Sequence, residues 1–497
     1  MIAKMLQKLN YKRIIICFVF VSAAFLIVFR FTDTPKVWVD EGILTSIARS
    51  VASSGVFGLQ TQPGSFFQFG ALLTTNYPVI FPVAVSIKLF GTGIWQARLP
   101  MILYMFVLVV LFYLYTKKKY GFYPAILSVL MLISFSPFYG NGRPVQGEVP
   151  GLVFLCLGAI MLLYFEETNF ENKKFAILAG LFLGLAAVTK SLYLLLLCVI
   201  LPLSLFFWIK KIKNKKNILI LLLAFITPIF FWFVINFPTP DLITKIIPTM
   251  VSQSGNNGPS SLSNTSLSLV ETVSVNLFRF VTESTPVLFL FLFIVLVFFF
   301  GRKYFKKDKS DFSISEFLLF FVIFFNWLGY LLGTGWYRYF FPANVLLYLF
   351  FPIAIITLAK KVSNEYVKKI TMLIPVVLIL FQFFHLIFLS DTSFFVSRTR
   401  NIILSQALSV VPSSQKVFFY NSPEAVVFLK GDNYFQYLTV QGLFEAGDKN
   451  ALTDMTKDFI LTENNPEYGD MLSPCYTKRE LDSYILFQKT VDCKNKK

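Results

Sequence analysis

The chain has 497 residues, 45 Lys+Arg against 27 Asp+Glu for a formal charge of +18, 56% hydrophobic residues, 14% charged residues and 60 Phe. Soluble domains carry about 25% charged residues, so a large soluble enzyme is excluded, as are disordered, collagen-like and disulfide-scaffold classes. Apolar runs of roughly 20 residues recur along the chain, which is the signature of an all-α polytopic membrane protein.

Eleven spans are predicted in chain order, at about 14–31, 97–116, 122–139, 149–165, 175–189, 191–209, 217–236, 285–301, 314–333, 340–359 and 370–390. The first, Ile14 to Phe31, lacks an A-x-A cleavage site and reads as an anchored helix. About half of the basic residues fall in six clusters beside these spans: Lys4 to Arg13, Lys117 to Lys119, Lys173 and Lys174, Lys210 to Lys216, Arg302 to Lys309, and Lys360 to Lys369. With the N-terminus in the cytoplasm, all six land on the cytoplasmic side, as the positive-inside rule requires. The charge is therefore a topology signal, and no nucleic-acid partner is implied.

Tyr77 to Phe90 is apolar but short, and it carries Pro78, Pro82 and Lys88. Counting it as a span would move Lys117 to Lys119 outside, so it reads as an interfacial or re-entrant helix. The extracytoplasmic side then receives the first loop, Thr32 to about Gln96, and a short second loop, Gly140 to Glu148. It also receives the Ser/Asn/Gly-rich segment within Phe237 to Ser284 and the hinge Gly333 to Tyr339. Residues 1–390 form the predicted membrane core and residues 391–497 a small extracytoplasmic α/β domain. Strand patterns lie at Lys416 to Tyr420 and Asp458 to Leu461, and helix patterns at Val396 to Val410 and Pro423 to Leu429.

Cys17, Cys156 and Cys198 fall in apolar spans and read as packing residues. Cys475 and Cys493 lie in the tail, where an oxidising compartment permits a disulfide. The single histidine, His385, excludes a multi-histidine metal site within one chain, and no CxxC pair is present, so a divalent metal has no support in the sequence.

Span centres are nearly free of charge, whereas proton- or ion-coupled transporters place ionisable groups inside their spans. The charges of interest gather at the predicted extracytoplasmic surface: Asp40, Glu41, Arg98, Arg143, Glu148, Lys190, Arg279 and Arg338. In W-V-D-E-G-I-L-T-S-I-A-R-S, Asp40 stands where either a helix cap or a general base would sit, and Gly55 where a C-terminal glycine would. Arg143 and Glu148 flank a Pro/Gly-rich turn and read either as headgroup-facing charges or as site residues. Lys190 interrupts a long apolar run and needs an anionic partner or water, a need that lipid phosphate alone would meet. Arg338, among aromatics in G-T-G-W-Y-R-Y-F-F-P, fits either an interfacial belt or phosphate recognition by a guanidinium fork.

In this order, the residues resemble the polyprenyl-phosphate-dependent GT-C glycosyltransferases. The nearest branch is the bacterial relatives of dolichyl-phosphate-mannose protein mannosyltransferase and the lipid A aminoarabinose transferases. The resemblance rests on D-E at Asp40 and Glu41 followed by the I-A-R helix, N-Y-P and K-L-F-G within 76–91, and A-R-L-P at Ala97 to Pro100. It continues with R-P-x-x-G-E-x-P at Arg143 to Pro150, G-L-x-L-G-L-A-A-V-T-K ending at Lys190, and Y-R-Y-F-F-P at 337–342. It implies a helical membrane core with juxtamembrane helices in the first loop, and a lipid-phosphate-linked sugar as donor. By the same resemblance Asp40 would be the catalytic carboxylate, with Glu148 and Glu41 the other acidic residues of the site. Lys190, Arg338 and Arg143 would face the donor phosphate. Many relatives carry Asp soon after the Arg-Pro of the second loop, where this chain has Val145.

The sequence thus points to a multi-pass glycosyltransferase of the cell membrane. It would move a sugar from a polyprenyl phosphate to an extracytoplasmic glycan, lipid or protein. A lipid-linked sugar flippase or other secondary transporter is the alternative, and it would call for internal repeats and spans broken at midplane; no repeat of fixed period is evident.

Overall fold

The computed structural model describes residues 11–70, 73–200, 215–244, 268–305, 313–333, 337–395, 399–440, 444–452, 456–463, 475–481 and 483–490. The Ser/Asn/Gly-rich stretch of the third loop and the Lys210 to Lys213 part of a basic cluster lie outside them.

The first helix, α1 (Tyr11–Val28), leads into a long loop holding α2 (Val39–Ser54), the hairpin β1 (Leu59–Gln62) and β2 (Ser65–Phe67), and α3 (Tyr77–Phe90). The core continues with α4 (Ile94–Tyr120), then α5 (Phe122–Ser134) and α6 (Ser136–Gly142), bent by 65° at their junction. Next come α7 (Glu148–Glu167), α8 (Lys173–Thr189), α9 (Lys215–Asn236), α10 (Leu269–Thr282) and α11 (Ser284–Phe305). The last core helices are α12 (Ile314–Leu332), α13 (Tyr337–Ala359) and α14 (Glu365–Phe384), which runs on into a π-helical turn at His385–Leu389.

Each expected span has a helix in its described part. Among the described residues, seven helices are long and apolar enough to cross a membrane, or eight if the bent α5–α6 pair is one span. The count of eleven is therefore not reached by length and composition. The 17-residue α8 is shorter than a full crossing, and Ser191–Ile200 and Val287–Gly301 are the apolar stretches of their segments that fall within the described residues. The short helix expected at 77–90 is α3, started by Pro78 in its first turn and closed by Gly91, whose N–H reaches Ile87 O at 2.8 Å.

Cap chemistry and charge fix one end of the core. The Ser313–Glu316 capping box starts α12, and the Ile314 N–H donates to Glu166 Oε1 at 3.2 Å. There Lys118 meets Glu167 at 2.8 Å and Lys119 approaches Glu316 at 3.7 Å, while Asn217 Nδ2 donates to Phe170 O and Glu171 O at 2.8 and 2.9 Å. The clusters at 117–119, 173–174 and 215–216 thus share one end, as the parity of the spans requires. On α8, glycines let α9 approach backbone to backbone: a Cβ at Gly180 would lie 2.2 Å from Leu221 O, and one at Gly184 2.3 Å from Phe225 O.

The C-terminal region begins with α15 (Thr399–Ser409). A six-stranded mixed sheet follows, made of β3 (Val417–Tyr420), β4 (Tyr434–Val440), β5 (Phe444–Ala446), β6 (Phe459–Glu463), β7 (Tyr476–Leu481) and β8 (Tyr484–Lys489). The strand order is β5-β4-β3-β6-β8-β7, with β3 parallel to β4 and β6 and the other pairings antiparallel. A 3-10 turn at Pro423–Phe428 and α15 cover one face, packing Ala425, Val427 and Leu408 onto Phe419 and Leu461. Cys475 is disulfide-bonded, and Cys493 lies outside the described residues.

Candidate active site

Asp40 sits in the first turn of α2, one residue inside Val39, and Trp38 occupies the N-cap position without a side-chain cap bond. The cap reading of Asp40 is therefore set aside. The cap position belongs to Trp38, and the Asp40 carboxylate leaves the helix to accept a hydrogen bond from Arg338 Nη1 at the start of α13. Gly55 does close α2, in the left-handed conformation expected of it (φ 74°). The Asp40 side chain is 38% exposed and that of Arg338 16%, so the acid is reachable from solvent while its cation is mostly covered. The Arg338 guanidinium also lies 5.0 Å from the centre of the Trp38 ring, a cation–π contact.

Glu148 opens α7 and is fully buried, accepting a hydrogen bond from Lys190 Nζ. Lys190 is itself buried, so the lone lysine of an apolar run has found a carboxylate rather than lipid phosphate. Its backbone is extended and pairs with the first loop: Asn76 N–H donates to Thr189 O at 3.1 Å and Ser191 N–H to Thr74 O at 2.8 Å. The Tyr193 hydroxyl donates to Glu148 O at 2.5 Å. Two glycines permit this closeness. A Cβ at Gly147 would fall 2.7 Å from Lys190 Cβ, and one at Gly151 2.1 Å from Tyr193 Cε2. The R-P-x-x-G-E-x-P spacing therefore serves the Lys190 segment as much as the turn.

Gln146 joins the two pairs. With its amide oriented by its neighbours, its nitrogen donates to Glu148 Oε2 at 3.3 Å and its oxygen accepts from the Trp38 indole N–H at 2.8 Å. Asp40, Arg338, Trp38, Gln146, Glu148 and Lys190 are thus one unbroken run of contacts. It is assembled from α2, α13, the turn before α7 and the end of α8.

The other two expected residues are engaged elsewhere. Glu41 is fully buried in a two-pronged pair with Arg98, Nε to Oε1 and Nη2 to Oε2 both at 2.7 Å, and it also accepts from the Val145 N–H at 3.3 Å. Arg98 further donates to Phe31 O at 2.7 Å and Pro35 O at 3.0 Å, which ties α4 to the start of the first loop. Arg143 closes the C-terminal end of α1: Nη2 donates to Leu26 O and Phe29 O, both at 2.8 Å, and Nη1 to Thr34 Oγ1 at 2.8 Å. Burial lowers its guanidinium to about 10, which leaves it charged at neutral pH. Both residues look like site charges in the sequence because each flanks one, yet both Glu41 oxygens and both terminal nitrogens of Arg143 are engaged within the fold.

Arg49, noted in the sequence only as part of I-A-R, anchors α2 to the C-terminal sheet region. Its guanidinium donates to Val426 O at 2.7 Å, Leu429 O at 2.9 Å, Gly431 O at 2.7 Å and Asp432 Oδ1 at 2.8 Å. It also lies 5.3 Å from the Tyr434 ring, whose hydroxyl meets Ser46 Oγ at 2.8 Å. Burial raises the Tyr434 phenol, so it stays a neutral hydrogen-bonding partner. Nothing in the local sequence marks these contacts, since they span more than 370 positions.

Solved structures of similar shape share the fold. ArnT from Cupriavidus metallidurans bound to undecaprenyl phosphate superposes with a TM-score of 0.62 at 12% identity, covering 96% of this chain and 98% of that one. The fold is that of the GT-C glycosyltransferases. The apo state of the same ArnT matches this GT-C fold with a TM-score of 0.60, again at 12% identity and over 96% and 98% of the two chains. The Archaeoglobus fulgidus oligosaccharyltransferase, in complex with Zn and sulfate, gives 0.55 at 11% identity over 95% of this chain and 73% of that one. The family model described as dolichyl-phosphate-mannose-protein mannosyltransferase matches residues 78–232, from α3 to the end region of α9, and so includes Arg98, Arg143, Glu148 and Lys190. No curated protein sequence matches the chain. The chain is a multi-pass membrane protein. Among the described residues no group of three or more His, Cys, Asp or Glu gathers.

Proposed function

We propose that this chain transfers a sugar from a polyprenyl phosphate to an acceptor on the extracytoplasmic side. The observation that carries the reading is the continuous run from Asp40 to Lys190, which sets two cations and two carboxylates together at the end of the core opposite the basic clusters. Support comes from the fold shared with ArnT, one of whose structures holds undecaprenyl phosphate. Further support comes from the partial match to the mannosyltransferase family model.

In this reading, Arg338 and Lys190 bind the phosphate of the donor and balance the charge that develops as the bond between the anomeric carbon and the phosphate oxygen breaks. Such donors lower a barrier because they are already aimed, and losing one costs about 3 kcal/mol. Asp40, the more exposed acid, takes the proton from the acceptor hydroxyl as its oxygen attacks the anomeric carbon. The lipid phosphate departs, and a single displacement inverts the anomeric centre. Glu148 holds Lys190 in place between turnovers. The C-terminal region, residues 391–497, forms an extracytoplasmic domain that holds α2 over the core and presents the acceptor side of the site.

The test uses purified protein in lipid nanodiscs with a panel of radiolabelled polyprenyl-phosphate sugars, comparing wild type, Asp40→Asn and Arg338→Ala. Release of lipid phosphate by wild type, and its loss in both variants, is the expected outcome. Equal turnover by all three removes the site assignment. Absence of release with every donor favours the transporter reading.

A further inference from the structure

Both cations of the site are already occupied by carboxylates. Lys190 Nζ donates to Glu148, Arg338 Nη1 donates to Asp40, and Trp38 touches both pairs, one through its ring and the other through Gln146. A guanidinium or ammonium meeting a carboxylate oxygen presents the same N–H donors that a phosphate oxygen would take. The two anions differ in consequence. A carboxylate oxygen engaged by its cation is not placed to meet an acceptor hydroxyl, whereas a phosphate oxygen in its stead leaves it free to do so.

We infer that Asp40 and Glu148 stand in for the donor phosphate, so that arrival of a polyprenyl phosphate displaces them from Arg338 and Lys190 and frees Asp40 to act as the base. The inference rests on the proposed donor and deepens it. Base and phosphate site share their cations, so the base is released only when the leaving group is in place, which guards the site against proton transfer without donor. The Trp38–Gln146 link makes the two exchanges one event. The indole ring must move with Arg338, and its N–H carries that movement through Gln146 to the second carboxylate.

The geometry also orders the effects. The Asp40–Arg338 pair is partly exposed, so its removal relieves a modest competition, whereas Glu148 and Lys190 are buried and their competition is stronger. Removing a carboxylate should therefore tighten the binding of the anion while abolishing or slowing chemistry, the opposite of what loss of a donor-binding residue does.

The experiment measures equilibrium binding of undecaprenyl phosphate to the full-length protein in nanodiscs, with undecaprenol and inorganic phosphate as separate arms. Wild type, Asp40→Asn, Glu148→Gln and the double variant Asp40→Asn/Glu148→Gln are compared, each with Trp38 and with Trp38→Phe. Asp40→Asn should bind undecaprenyl phosphate about threefold tighter and Glu148→Gln about tenfold tighter, with no gain for undecaprenol. In the Trp38→Phe background, which keeps a ring and loses the N–H, the two gains should become additive, while in the Trp38 background they should not. Asp40 is partly exposed, so Asp40→Asn carries the test should Glu148→Gln fail to fold. Equal or weaker binding by Asp40→Asn, with wild type binding, overturns the inference and leaves the donor assignment standing. Equal gains for inorganic phosphate, with none specific to the lipid, overturn it too, because they reduce it to an unselective anion effect. Absence of binding by every variant overturns the donor assignment and this inference with it.

Discussion

Arg49→Met tests whether the C-terminal sheet holds the helix that carries Asp40. The wild-type guanidinium gives three bonds to the carbonyls of Val426, Leu429 and Gly431, and a fourth to Asp432, whose carboxylate is 56% exposed. A hydrogen bond from a charged group contributes about 1.5–3 kcal/mol, and the exposed Asp432 contact adds little beyond that. Three carbonyl bonds at the low end, with losses that do not add fully, give about 4 kcal/mol against docking of the sheet on α2. Local opening of α2 and of the 423–432 segment should then rise about a thousandfold, read as faster amide hydrogen exchange in nanodiscs. Arg49→Lys, with one compact ammonium in place of a planar fork, should fall between. Gly42→Ala reaches the same interface by another route. Its Cβ would lie 2.3 Å from Glu424 N and 2.4 Å from Pro423 O, backbone atoms that cannot step aside as a side-chain tip could. Both variants should lose sugar transfer through a lower kcat, because Asp40 lies in the displaced turn. Wild-type exchange in α2 for both would refute the reasoning, since the sheet would then not be what holds this helix.

Three further outcomes follow from the packing. Glu41→Gln breaks a fully buried pair and leaves Arg98 uncompensated, so thermal unfolding in nanodiscs should show a loss of about 3–5 kcal/mol; an unchanged unfolding midpoint would mean that the pair adds nothing. Gly151→Ala should push Tyr193 off Glu148 O and weaken donor binding, whereas Gly301→Ala, where a new Cβ meets nothing within 4 Å, should behave as wild type; equal effects of the two would count against close packing at 189–193. Asp40→Asn should lower kcat by roughly two to four orders of magnitude without raising the donor KM, as loss of a base does; a raised KM at full kcat would instead make Asp40 a donor-binding residue.

The tail was legible in part: the patterns at 416–420 and 458–461 are β3 and β6, and that at 423–429 is the 3-10 turn, whereas β4, β5, β7 and β8 were not read from the sequence. The first-loop hairpin at Leu59–Gln62 and Ser65–Phe67 was not, because neither short strand carries a clear alternation and its side chains pack against residues of the distant sheet, such as Phe444. The same distinction runs through the site. Asp40, Glu148, Lys190 and Arg338 stand out in the sequence because charge is rare in so apolar a chain, and rarity marks position. Trp38 and Gln146 do not stand out, since an aromatic or an amide near a membrane surface has many ordinary uses.

Composition and spacing by themselves determined that this chain is a multi-pass helical membrane protein with a β-rich C-terminal region. The energetic cost of placing backbone and charge in hydrocarbon is large and local, and it acts on each segment independently of its partners. Only the tertiary structure decided which charge met which. Glu41 and Asp40 are adjacent in sequence, yet one turns inward to Arg98 and the other across to Arg338, 298 positions away. Neighbouring residues on a helix point about 100° apart, so the partner each finds is set by what the rest of the fold brings to its side, which no local pattern records.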